Sequence, residues 1–226
     1  MPVHMTPRFP RTSPLRRAWR ALTLLAWLMV QQGTIWAQVA PEKKEFATRP
    51  ATRELLDRMR QGGLVLYLRH ATSDTDFPDQ PRLDPNRCET QRPLTAEGRK
   101  LAARLGHHIQ AAHIPIGDIH AGPLCWTRET AMLAFGRMQV DPLLMYTAHL
   151  TSAQKKPIID NTRRLLSTPV APGSNRVVVA HAPNLADLLG YFVKTEGTMV
   201  VFAPLGQGRF EYLASITPDD WAALLR

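Results

Sequence analysis

Two short apolar runs, each ending in histidine, constrain this chain more than any other feature. Residues 64–68 (LVLYL) follow a Gly-Gly pair and lead into Arg69-His70, and residues 176–180 (RVVVA) lead into His181. Apolar runs of this length between turn signals read as strands buried on both faces, as in parallel sheets. Segments of helical spacing lie around them. Leu55, Leu56 and Met59 mark a short amphipathic helix over 52–60. Thr95 reads as the N-cap of a helix whose inner face carries Leu101, Ala102, Leu105, His108, Ile109 and Ala112. Further helices are expected over 124–135, 151–166, 184–193 and 218–225, and further strands over 116–121, 198–203 and 210–216. The alternation predicts an α/β fold, a three-layer α/β/α sandwich around a central, mostly parallel sheet. Ligands of such sheets bind beyond the carboxyl ends of the strands. Both histidines fall there.

The first residues are expected to stand outside this fold. Arg8, Arg11, Arg16, Arg17 and Arg20 come with no acidic residue, and residues 21–30 (ALTLLAWLMV) are apolar. That order predicts a signal peptide over 1–37, cut after Ala37. Arg16-Arg17 also permits a twin-arginine reading. The rival reading is an uncleaved anchor, although the apolar core is shorter than the ~20 residues of a membrane span. A linker is expected over 38–50 and a single domain over 51–226, exported to the periplasm or secreted, with no integral span once the leader is removed.

Charge must be judged without the leader. The chain has 28 basic and 19 acidic residues, and five of the basic ones lie in residues 1–37, so the remainder carries only +4. This is an ordinary solvated surface that mildly favours anions, and it argues against a nucleic-acid partner. Two cysteines in an exported chain, Cys88 and Cys125, are a candidate disulfide; two unpaired buried thiols are the alternative.

An Arg-His pair leaving a buried strand has a specific chemical use. Arginine offers a planar fork of donors that matches phosphate oxygens. Histidine serves near neutral pH as a nucleophile or a charge partner. A second histidine at another strand end can face the first.

The local sequences sharpen this. LVLYLRHATSDTD resembles the opening motif of the histidine phosphatase superfamily, an apolar strand followed by Arg-His-Gly or Arg-His-Ala. CETQRPLTAEGRKLAARLG is similar to its Leu-Thr-x-x-Gly helix start, GPLCWTRETAMLAFG to its third signature, and VVVAHAPNLADLLG to its fourth, with EGTMVVFAP as the closing strand. The motifs stand in the family's order across 64–216. The resemblance implies that His70 attacks phosphorus and becomes phosphohistidine. It implies that Arg69 holds the phosphoryl oxygens, that His181 stabilises the transition state, and that the Ala182 N–H adds a donor. It implies a small phosphorylated substrate and neither a metal nor an organic cofactor.

The chain departs from the pattern at Trp126, where the family places a pocket arginine. Arg128 is poorly placed to compensate, since residues two apart on a helix point about 200° apart. Ala71 and Ala180 replace glycines, which is mild where φ is negative. The general acid is open between Asp74, Asp76 and Glu129. His107, His108 and His113 lack the partners a metal site would want. Asn184 reads as a helix cap, and Arg92 either faces solvent or steers an anion. Two functions follow: hydrolysis of phosphomonoesters through His70, or an impaired envelope protein that binds an anionic, phosphorylated ligand without turnover.

Overall fold

The computed structural model describes residues 45–77 and 83–226. The expected leader and the first part of the expected linker lie outside the described residues. The compact unit begins at Glu45, earlier than the domain start at residue 51 expected from sequence. Residues 45–50 pack on the domain: Phe46 stacks on Tyr191 at 4.4 Å, and Pro50 bridges to Ser215.

Helix α1 (Arg53–Gln61) starts where Thr52 accepts the Leu55 N–H and stops at Gly62, whose φ of 82° few side chains tolerate. Strand β1 (Val65–Arg69) follows. Helix α2 (Ala96–Ala111) is capped by the Thr95 hydroxyl, as expected. Then come β2 (Ile116–Ala121), α3 (Cys125–Phe135), the two-residue β3 (Gln139–Val140) and α4 (Ser152–Ser167), which opens with a capping box between Thr151 and Gln154. Strand β4 (Asn175–Ala180) leads into α5 (Ala182–Leu189), and β5 (Met199–Gly206), β6 (Arg209–Ile216) and α6 (Trp221–Leu224) close the chain. The helix expected over 184–193 begins earlier, because Pro183 is suited to a first turn. It ends earlier because Gly190 adopts a left-handed C-cap.

The sheet has the order β3-β2-β4-β1-β5-β6. The first four strands are parallel, while β5 runs antiparallel to β1 and pairs with β6 as a hairpin. Side chains alternate between its faces along β1 and β4. Leu66, Leu68, Val177 and Val179 face the layer that holds α1, α2 and α3. Val65, Tyr67, Val178 and Ala180 face α4 and α5. Each fully buried side chain of this size contributes about 1.5–3 kcal/mol, so a one-residue slip, which would swap the faces, is strongly disfavoured. That register holds the ends of β1 and β4 level, with Arg69 beside Ala180.

Candidate active site

Since β1 and β4 end level, the residues that follow them meet. The His70 and His181 rings lie 5.4 Å apart, centroid to centroid, and are tilted by 60°. His70 Nδ1 is 2.9 Å from the Ala71 carbonyl oxygen. A carbonyl only accepts, so Nδ1 carries the proton and Nε2 the lone pair. Burial pushes the His70 pKa down to about 3; the Ala71 carbonyl opposes the shift, while Arg69 and Arg92 add to it. The imidazole is therefore neutral at neutral pH, with a nucleophilic nitrogen available.

The turn carrying His70 is pinned from two helices. Thr130 of α3 accepts the Ala71 N–H at 3.0 Å and donates to the Trp126 carbonyl at 2.7 Å. Gly98 of α2 lies so close to Thr72 that a Cβ there would meet the Thr72 oxygen at 2.0 Å. These contacts account for the Thr and Gly of the second and third motifs.

Arg69 lines the same cavity as His70, but much of its fork is engaged. Nη1 donates to the Val193 and Lys194 carbonyls at 2.7 and 2.6 Å, and Nη2 to Glu196 at 3.3 Å. Its buried Nε has no protein partner among the described residues. Glu196 also accepts from the Ser73 N–H and hydroxyl, at 3.2 and 3.0 Å.

His181 is fully buried. Its carbonyl accepts the Tyr67 hydroxyl at 2.7 Å, and its Nδ1 accepts the Trp126 indole N–H at 3.0 Å. Tyr146 packs edge-on against both rings. Burial holds the His181 pKa well below the usual histidine range, with His70 and Arg69 acting in the same direction.

Arg69, His70, Ser73, Tyr146 and Glu196 line a cavity of about 50 Å³ with Arg92, Trp126, Ala182 and Phe192. A water needs about 10–15 Å³ on this measure, so the space suits a small oxyanion. Arg92 and Trp126 also line a larger, mostly apolar cavity of about 420 Å³.

A scan against protein-family models finds no match, and no curated protein matches. Solved structures do match. The protein histidine phosphatase SixA, solved with tungstate, aligns at a TM-score of 0.51 with 14% identity, over 70% of this chain and 98% of that one. The chain has the histidine phosphatase fold. A phosphoserine phosphatase mutant of Entamoeba histolytica, solved with phosphoserine, aligns at 0.47 with 14% identity, over 69% of this chain and 97% of that one. A putative alpha-ribazole-5'-P phosphatase of Escherichia coli aligns at 0.44 with 13% identity, over 70% and 98%.

On this histidine phosphatase fold the residues expected from sequence divide. His70, Arg69, Ala182 and Trp126 line one cavity, and His181 lies directly behind it. Ala182 opens α5, where helix N–H groups have no intrahelical acceptor. The candidate general acids do not line that cavity. Asp76 is exposed and its N–H turns back to Asp74, and Glu129 pairs with Arg99 at 2.6 Å in the larger cavity. The carboxylate that does line it, Glu196, was missed; its one sequence signal is its place just before the closing strand. Arg128 points to the Pro85 carbonyl, as helix geometry requires. Asn184 is not a cap: it lies inside α5 and donates to the Met145 carbonyl at 3.0 Å. His108 stacks on Trp221. Arg92 is partly buried at the cavity rather than facing open solvent. Cys88 and Cys125 form a disulfide that joins the loop before α2 to the first turn of α3.

Proposed function

We propose that this chain hydrolyses phosphomonoesters through a phosphohistidine at His70, outside the cytoplasm. The observation that carries this reading is the fixed His70 tautomer: Nδ1–H held by the Ala71 carbonyl, Nε2 carrying the lone pair, in a cavity of oxyanion size. In the first step Nε2 attacks phosphorus and the ester P–O bond breaks. In the second, water attacks the phosphohistidine, the P–N bond breaks, and inorganic phosphate leaves. Catalysis of this kind rests on position and charge neutralisation. Arg69 Nε, Arg92 and the Ala182 N–H are the donors assigned to the phosphoryl oxygens. Glu196 accepts from Arg69 and from the Ser73 N–H and hydroxyl, so it is assigned to orient Arg69 and Ser73. Leaving groups that depart without a protein acid, such as aryl oxides, suit this arrangement. The disulfide and the arginine-led apolar segment at the start of the chain support export.

One observation favours a second reading, an anion-binding protein without turnover. Trp126 occupies a nitrogen of His181, and Arg69 is engaged by loop carbonyls. The two readings part on a single assay. The purified protein is given an aryl phosphate and quenched. An acid-labile phosphoenzyme that disappears in His70→Ala is expected. Saturable vanadate binding with neither phosphoenzyme nor turnover would replace the enzyme by the binder.

A further inference from the structure

We propose that Trp126 is a positioning residue that fixes His181 as a neutral imidazole with its proton on Nε2, so that the site operates with an uncharged second histidine. The inference deepens, and rests on, the reading of His70 as nucleophile.

An indole N–H donates and has no lone pair to accept with. Trp126 Nε1 lies 3.0 Å from His181 Nδ1, so Nδ1 must present its lone pair, and the ring proton is on Nε2. An imidazolium carries protons on both nitrogens. Charging His181 would set two N–H groups against each other at that distance, inside a site with no exposed surface on the ring.

The groups around His181 leave little room for escape. From the end of β1 come His70, with its ring 5.4 Å away, and the Arg69 guanidinium. From α3 comes Trp126, 3% exposed, and from the segment before α4 comes Tyr146, with its ring 5.2 Å away. On the remaining side a Cβ at Gly122 would stand 3.4 Å from Nε2. Arg69 is cationic, and His70 would add a like charge on protonation; both disfavour a cation at His181. The indole is itself buried and held, with Tyr146 lying edge-on to the ring. Nε2–H is buried with no protein partner among the described residues. Trp126 thus does with a hydrogen bond what an arginine at that place would do with charge, and His181 is left as a hydrogen-bond donor.

The test reads the ring directly. The full protein, labelled with 15N in histidine and tryptophan, is examined by NMR between about pH 5 and pH 8, the range in which an ordinary histidine titrates. A scalar coupling between Trp126 Nε1 and His181 Nδ1 is expected, with the Nε2–H tautomer and no titration across the range. In Trp126→Phe, which keeps an aromatic ring but removes the donor, the coupling vanishes. Without that donor His181 is expected to lose its single tautomer, and its Nδ1 and Nε2 shifts should move toward each other. The native spectrum decides even where the variant folds poorly. An Nδ1–H tautomer, or a midpoint near the ordinary histidine value in the native protein, would overturn the proposal. So would the same pure Nε2–H tautomer in a folded Trp126→Phe. The spectrum needs no turnover, so a failed phosphoenzyme assay with the expected tautomer sinks only the phosphatase reading.

Discussion

Glu196 reaches from the loop before β5 to take both the backbone N–H and the hydroxyl of Ser73, at 3.2 and 3.0 Å, while also pairing with Arg69. One carboxylate therefore ties the loop after His70 to the arginine beside it. Glu196→Ala leaves a mostly buried guanidinium without its counter-charge. It is expected to reduce aryl phosphate turnover by about 10- to 100-fold, since charge-assisted hydrogen bonds contribute roughly 1.5–3 kcal/mol each. Glu196→Gln, which still accepts, should lose less. Equal kcat values for both variants and the native protein would show that the link is idle.

The pH dependence follows from His70. Its ordinary value is 6.5 and burial brings it to about 3 in the folded protein. The lone pair on Nε2 thus survives well below neutral pH. The acid limb of a pH–rate profile should not break near 6.5 on account of His70. Folding carries the opposite sign. An unfolded chain binds a proton at His70 as pH falls through 6.5 and the folded one does not. The stability contributed by neutral His70 is complete above that value and lost progressively toward about pH 3. His181 acts in the same direction. Chemical denaturation at several pH values checks this; constant stability from pH 7 to pH 4 would contradict it.

Trp126→Arg restores the residue the family pattern places in this position. An added charge-assisted contact to the phosphoryl group is expected to raise kcat/KM by about 10- to 100-fold. A fall instead would mean that the indole's hold on His181 outweighs the added charge.

Gly98→Ala introduces a methyl group 2.0 Å from the Thr72 carbonyl oxygen, and backbone on both sides has nowhere to go. Overpacking of this kind costs about 1–3 kcal/mol or more. Thermal unfolding should shift downward by several degrees. Because Thr72 belongs to the turn after His70, turnover should fall with it.

Much of the fold was legible in advance because the signals were local. The LVLYL and RVVVA runs could only be buried strands, and Thr95 and Thr151 stood where helices begin. The boundaries of α5 were read late by two residues at its start, since Pro183 looks like a breaker until its place in a first turn is seen. The two-residue β3 carries no periodicity at all. In the site, His70, Arg69 and His181 were visible because strand ends and motif carried them. Glu196, Ser73 and Tyr146 were not. They reach the cavity from loops far apart in the chain, and only tertiary packing brings them together. The same distance explains why Asp74 and Asp76, near His70 in sequence, looked better placed than they are. Residues 38–50 read as linker because polarity and two prolines hide Phe46, whose partner Tyr191 is remote in sequence.

The Cys88–Cys125 bond spans 37 residues and so makes a covalent ring around the whole of α2 and β2. A chain pulled by its two ends can never pay out that ring. With full extension near 3.3–3.6 Å per residue, the oxidised protein should lengthen by roughly 120–130 Å less than the reduced one before going taut. A single cut inside the ring would leave the two pieces, one carrying His70 and the other His181, still joined as one molecule.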